Sequence, residues 1–143
     1  PLVPYRASGF SPPYERINGN GELAVSWSQL VWAAVTVGRP RWAEFFALEI
    51  IVLVVVFSAG TVYATLVEGA GEEVFQSGLY RFGLDPSEKG AVSYFLGLVA
   101  SKAFAERMLG VPCLAHIDLY REELRPVLLG LSRPDFAGEN QHG

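Results

Sequence analysis

The chain has 143 residues, of which half are hydrophobic and 18% are charged, and its formal net charge is −4. This composition excludes an intrinsically disordered chain and supplies enough apolar material for one core, so we expect a single domain over residues 1–143. The acidic balance excludes a chain-wide basic field for nucleic acid, although it is compatible with a local basic patch. One cysteine excludes an internal disulfide and, with only two histidines, a zinc cage; it fits a reducing cytoplasm.

Residues 1–23 are predicted to form an extended arm. They include four prolines and end near Asn18-Gly19-Asn20-Gly21, which is a strong turn signal. Ser26 or Ser28 is placed to cap a helix that runs to Gly38, and Pro40 suits the first turn of a second helix. We therefore expect residues 24–84 to form a helical, apolar region.

The uncharged run from Ile50 to Val67 permits three interpretations. Its 18 residues reach the threshold for a transmembrane helix, and basic residues before it with acidic residues after it would place the N-terminus in the cytoplasm. A fully buried core helix is the second interpretation. Because ten of its residues are β-branched, a hairpin of two strands that turns at Ser58-Ala59-Gly60 is the third.

The segment from Asp85 to Gly110 has the clearest helical pattern. Asp85 is a capping side chain, Pro86 suits the first helical position, Glu88 adds an acid to the first turn, and Gly110 is placed to end the helix. The polar residues recur at helical spacing in one narrow stripe, which predicts that the remaining apolar surface is mostly buried. The stripe consists of Ser93, Gly97, Ser101, Lys102, Glu106 and Arg107.

A small sheet is predicted beyond this helix. The apolar run Pro112–Tyr120 indicates a core strand, residues Arg121–Arg125 a charged turn or short helix, and Pro126–Leu129 another strand. The complete pattern predicts an α/β or α+β fold, in which a helix-rich N-terminal half is followed by a small sheet.

Familiar catalytic motifs are missing from the sequence. It contains no glycine-rich phosphate loop, no paired cysteines and no HExxH, and Ser58-Ala59-Gly60 lacks the flanking glycine of a nucleophile elbow. Cys113 and His116 lie three positions apart on a predicted strand, so their side chains would face opposite sides. We therefore interpret Cys113 as a buried structural residue.

One arrangement of acidic residues is similar to a known family. Glu88 opens a long helix, a strand follows, and Pro134-Asp135 precedes the apolar-small-glycine run Phe136-Ala137-Gly138. This order resembles the first part of the PD-(D/E)xK nuclease superfamily, which includes restriction endonucleases and archaeal Holliday-junction resolvases. The resemblance covers about residues 85–138 and implies that Glu88 and Asp135 are catalytic residues and ligands of Mg²⁺, with DNA as the partner.

The chemistry implied by this resemblance depends on carboxylates. Mg²⁺ prefers hard oxygen ligands, and one or two carboxylates with phosphate oxygens would satisfy it, so that the ion activates water and stabilises the phosphate. The superfamily's Glu-x-Lys motif, whose lysine helps to neutralise developing charge, is missing after Asp135 because the sequence stops at Gly143. The resemblance therefore implies the incomplete, inactive N-terminal part of a nuclease, in which Glu88 and Asp135 converge.

Three functional hypotheses follow from these patterns. The first is a cytoplasmic, nucleic-acid-associated protein that resembles a restriction-type nuclease. The second is a small protein of the inner membrane with one span near residues 50–67. The third is a non-catalytic interaction module, whose apolar segment is covered by a protein partner or by a second copy in a homo-oligomer.

Overall fold

A computed structural model describes residues 1–39, 49–126 and 135–138. These residues form helices and three separate two-stranded antiparallel sheets. The fold is therefore α+β, as the sequence predicts, and a small sheet does follow the helices near the C-terminus. Its likeness to a nuclease core stays a prediction.

The N-terminal segment forms a β-hairpin. β1 (Leu2–Ala7) pairs antiparallel with β2 (Gly19–Ala24), and Tyr5 lies opposite Gly21. The ring of Tyr5 covers Gly21 so closely that a Cβ there would lie 2.6 Å from the ring, which explains why this strand position is a glycine. The predicted turn at Asn18–Gly21 was wrong, because most of this segment lies inside β2.

The loop of this hairpin is closed by one side chain. Asn18 accepts a hydrogen bond from the backbone N–H of Phe10 (3.0 Å) and donates one to the Phe10 carbonyl (2.8 Å). A short 3₁₀ helix, Glu15–Ile17, leads into Asn18. The asparagine therefore supplies turn chemistry, as its residue type predicts, but it does so by pairing across the loop.

The first long helix begins as predicted. α1 (Trp27–Thr36) is capped by Ser26, whose hydroxyl accepts from the Gln29 N–H while the Gln29 side chain accepts from the Ser26 N–H. Its inner face packs against the two helices described next. The second helix that the sequence predicts from Pro40 lies outside the described residues.

The uncharged run is mainly a helix. α2 (Ile51–Thr65) leads directly into β3 (Leu66–Glu68), which pairs with β4 (Val74–Gln76). The hairpin that turns at Ser58-Ala59-Gly60 was therefore wrong. A fully buried helix was wrong as well, because most of α2 is at least partly exposed. Among the described residues, no helix combines the length and hydropathy needed to cross a membrane.

The helix after Asp85 is confirmed. α3 (Pro86–Phe104) follows a π-helical turn at Leu79–Gly83 and leads into a second π-helical turn at Ala105–Leu109. Gly110 ends this segment with a φ of +67°, a left-handed conformation that favours glycine. The prediction that α3 is mostly buried was wrong, since its buried residues all lie in its last third.

The C-terminal sheet is smaller than predicted. β5 (Ala115–His116) pairs antiparallel with β6 (Phe136–Ala137), so the predicted core strand Pro112–Tyr120 is reduced to two residues. The short charged helix is present as α4 (Arg121–Leu124). The strand predicted at Pro126–Leu129 lies, from residue 127 onward, outside the described residues.

The core has a main and a minor cluster. α1 packs against α2 and α3 and, with β2, encloses the main cluster. The minor cluster lies at the C-terminal end of α3, where Phe136 of β6 packs against it. The main cluster contains Leu23, Val25, Leu30, Ala33, Ala34, Val62, Val99 and Ala103, and the minor cluster contains Ala105, Val111 and Leu114.

Candidate functional site

Glu88, the first predicted catalytic residue, is part of a helix cap. The Asp85 carboxylate accepts from the N–H groups of Ser87 (2.7 Å) and Glu88 (3.0 Å), while the Glu88 carboxylate accepts from the Asp85 N–H (2.9 Å). This reciprocal arrangement satisfies donors that the first turn of a helix leaves open. Glu88 is exposed, and its described contacts explain its position without a metal ion.

Asp135, the second predicted catalytic residue, lies next to β6. It is exposed, and its backbone carbonyl accepts a hydrogen bond from the Ile117 N–H (3.0 Å), which extends the pairing of β5 with β6. Three residues later, Gly138 approaches the chain so closely that a Cβ there would lie 2.6 Å from the Cys113 carbonyl oxygen. The glycine that ends the motif thus permits backbone packing.

The structure does not bring these two carboxylates together. Phe136, the neighbour of Asp135, packs against the cluster around Ala105, at the C-terminal end of α3. Glu88 lies in the first turn of the same helix, 17 residues earlier, which corresponds to about 25 Å at 1.5 Å per residue. Two carboxylates that share one ion need their oxygens within ~4–5 Å. This placement does not favour the predicted convergence of Glu88 with Asp135, which stays a prediction.

The described residues contain no group of three or more histidine, cysteine, aspartate and glutamate side chains that could hold a metal ion. Cys113, which the sequence assigns to a structural role, is half-buried. His116 packs edge-on against Phe136, with ring centroids 5.6 Å apart, and its Nδ1 is buried without a hydrogen-bond partner among the described residues. No described contact joins the Cys113 thiol to the His116 ring.

Arg39 lies in the open cleft beside His116, but it is occupied in holding a helix end. Its guanidinium donates to the carbonyls of Val35 (2.8 Å) and Val37 (3.4 Å), where the last turn of α1 leaves acceptors open. Burial lowers the pKa of Arg39, and the nearby Tyr120 opposes this shift. The cation therefore stabilises the C-terminus of α1.

The most unusual surface belongs to α2. Along one side of this helix runs a set of exposed apolar residues, which we call the outer face. Its five large members are between 58% and 70% exposed. At 100° per residue, the set occupies an arc of about 140° that is centred on Gly60. The outer face consists of Val52, Leu53, Val56, Phe57, Gly60, Tyr63 and Ala64.

The polarity of α2 is inverted relative to a surface helix. Its buried residues are Ser58, Val62 and Thr65, so two of the three residues that face the core carry hydroxyl groups. The Thr65 hydroxyl is satisfied locally because it donates to the Thr61 carbonyl (2.6 Å). Surface helices of soluble domains normally place their apolar stripe inward and polar residues outward. α2 thus places its bulkiest apolar side chains in solvent.

The outer face is held in a fixed orientation. Val62 on the opposite side is fully buried, and α2 packs against α1. Trp27 stacks on Tyr63 with ring centroids 5.4 Å apart, and its indole N–H donates to the Glu68 carboxylate (2.9 Å). These contacts tie the C-terminal end of the face to α1 and to β3, so the face is preformed.

The sequence contains a pattern that could have identified the outer face, although the overall composition of the segment does not reveal it. The uncharged run identified the segment, but its hydropathy is nearly uniform around the helix and does not indicate which side is buried. The hydroxyl residues Ser58 and Thr65 are seven positions apart and therefore share one side of a helix. Small polar residues on one side of an otherwise apolar helix could have indicated the packed side.

Comparison with known proteins gave no match: no family model, no curated protein and no solved structure is similar to this chain at a significant level.

Proposed function

We propose that this chain is a non-catalytic interaction module that binds a protein partner through the outer face of α2. The observation that carries the proposal is the inverted polarity of this helix, with hydroxyl groups inward and large apolar side chains outward. Contiguous apolar patches are uncommon on soluble monomers and usually mark a binding surface. Phe57 and Tyr63 alone leave about 200–300 Å² in solvent, given roughly 150–250 Å² for a large aromatic side chain.

The shape and chemistry of the outer face favour a helix or another flat apolar surface as the partner. The face is the convex side of a helix, whereas small molecules are normally held in concave pockets. Residues Leu53 and Gly60, and likewise Val56 and Tyr63, are seven positions apart, which is the spacing of helix-on-helix packing. A protein helix could therefore lie along the face with its side chains between those of α2.

A lipid surface is a less suitable partner. Helices that lie in the membrane interface combine an apolar face with lysine and arginine residues that attract anionic headgroups. No charged residue of either sign lies between Glu49 and Glu68. The electrostatic part of such binding would therefore have to come from another element.

Site-specific photo-crosslinking tests this proposal. Phe57 is replaced by the photoreactive amino acid benzoyl-phenylalanine in the full chain, expressed in the cells that encode it, and adducts are identified by mass spectrometry. Tyr94 on α3 is the matched control, because it is an aromatic residue of similar exposure at 55%. We expect a discrete protein adduct from position 57 and none from position 94.

A charged substitution on the same face provides a second test of the proposal. Val56→Lys should abolish the adduct from position 57, because a cation on an apolar face must be desolvated when the partner binds. The free energy of unfolding should change by less than about 0.5 kcal/mol, since position 56 is exposed. An absence of protein adducts from position 57, or lipid adducts alone, would contradict the proposal.

A further inference from the structure

We infer that the partner of the outer face is a second copy of this chain, with the two α2 helices crossing at Gly60. This inference rests on the proposed function and specifies its partner. Gly60 lies at the centre of the exposed arc, and nothing in the described structure lies within 4 Å of the position a Cβ would take there. A second helix can therefore approach the α2 backbone closely at this point.

The outer face is complementary to itself. The small residues Gly60 and Ala64 form a depression in the face, and the larger Val56, Phe57 and Tyr63 surround it. In an antiparallel pair with its two-fold axis at Gly60, positions whose numbers sum to 120 lie at the same level. Because this axis brings each flank of the face against the same flank of the second copy, Phe57 of one copy lies closest to Ala64 of the other, and Val56 lies closest to Tyr63. Large side chains therefore lie beside aromatic or small ones.

Charge and area are both consistent with a pair of identical copies. Two identical charged faces would repel one another, but the outer face carries no charge, so a second copy meets no electrostatic barrier there. At 58–70% exposure of its large residues, the face offers on the order of 600 Å² per copy. Two copies would bury at most about 1,200 Å², the lower end of the range for specific interfaces. We expect a moderate, concentration-dependent dimer.

Analytical ultracentrifugation of the full chain tests the inference directly. From about 1 to 100 µM, the molar mass should rise from one chain toward two, as expected for a dimer with a micromolar dissociation constant. Gly60→Leu should weaken this constant at least tenfold, because a leucine side chain separates the two backbones at their crossing. Gly97→Leu is the matched control: Gly97 is also a helical glycine with open space at its Cβ, but it lies on α3.

Disulfide trapping locates the crossing point independently. Gly60→Cys should give an intermolecular disulfide on mild oxidation, because the two-fold axis brings the two introduced thiols together. Gly97→Cys, and the unmodified chain with its half-buried Cys113, should remain monomeric on a non-reducing gel. Circular dichroism confirms that each variant is folded, and both glycine positions have room for the change.

The outcomes separate this inference from the proposed function. In one outcome, the chain stays monomeric at all concentrations while position 57 still crosslinks to a different protein. That result would contradict a second copy as the partner, but it would agree with the proposed interaction module. A monomer without any protein adduct overturns both. A dimer that Gly60→Leu leaves unchanged or strengthens overturns the crossing at Gly60, whereas an adduct with twice the mass of the chain supports both statements.

Discussion

Lys102 shows how a single side chain can depart from its apparent role. Its place in the polar stripe of α3 predicts an exposed position, but only 1% of the residue is accessible to solvent. The ammonium donates to the Glu106 carboxylate and to the Pro112 carbonyl, both at 2.7 Å. A buried cation is tolerated only with such partners. Lys102 thus fixes the segment after Gly110 against the end of α3.

Removing this side chain should destabilise the fold. We expect Lys102→Ala to lower the free energy of unfolding by about 2–4 kcal/mol, because it removes two hydrogen bonds and leaves a cavity and an unpaired carbonyl. Urea denaturation measures the change. Lys89→Ala is the control on the same helix, since the Lys89 ammonium makes one exposed hydrogen bond to the Arg81 carbonyl, and its loss should cost less than about 1 kcal/mol. Equal effects at the two positions would contradict this interpretation.

Local sequence determines where α1 and α3 begin, whereas neighbouring elements determine how deeply each helix is buried. The capping boxes at Ser26 and Asp85 need only residues within three positions of each other, so they form wherever the helix lies. The burial of each helix depends on its contacts with the others. α3 follows its predicted bounds closely but is less buried than predicted, because α1 covers it only in part.

The cap of α3 distinguishes a structural from a catalytic role for Glu88. Asp85→Ala should lower the free energy of unfolding by about 1 kcal/mol, because two backbone donors lose their acceptor. Glu88→Gln should cost only a few tenths of a kcal/mol, since the amide oxygen can still accept from the Asp85 N–H. Thermal unfolding followed by circular dichroism measures both. A much larger loss for Glu88→Gln would indicate a role for the charge that the cap does not explain.

The molecule as a whole distributes its polarity in an unusual way. Its main core lies between β2, α1, α2 and α3, and the outer face of α2 lies on the opposite side of the same helix. Glu88 lies in the first turn of α3, whereas Phe136, the neighbour of Asp135, packs against the minor cluster at the other end of this helix. The described part of the molecule therefore exposes an apolar surface, and no three or more of its histidine, cysteine, aspartate and glutamate side chains form a group that could hold a metal ion.

The nuclease resemblance leads to a simple experiment on the whole chain. We expect no cleavage of plasmid DNA in Mg²⁺, because the Glu88 carboxylate is engaged in the cap of α3 and the described residues contain no group of three or more possible metal ligands. Mg²⁺ should also leave the melting temperature unchanged, whereas a site saturated 100-fold above its dissociation constant would add about 2.7 kcal/mol of stability. Cleavage that is lost in Asp135→Ala would show that an active site forms. This substitution is a clean probe, because the described hydrogen bond of Asp135 is made by its backbone carbonyl and not by its carboxylate.

Local signals in the sequence determined where α1 and α3 begin, where the segment after α3 ends, and that helices are combined with a small sheet in an α/β or α+β fold. Ser26, Asp85, Pro86 and Gly110 act through backbone groups in their own turns, so their effects are readable without the rest of the fold. The uncharged segment was likewise evident as a continuous apolar segment.

Only the tertiary structure decided which residues meet. β1 and β2 are short and contain glycine, asparagine or proline, so strand propensity does not predict their pairing, in which the ring of Tyr5 covers Gly21. The side of α2 that faces solvent depends on which neighbours pack against Ser58 and Val62. About 25 Å along α3 separates Glu88 from Ala105, whose cluster Phe136 contacts, because a rigid helix fixes the distance between residues at its ends.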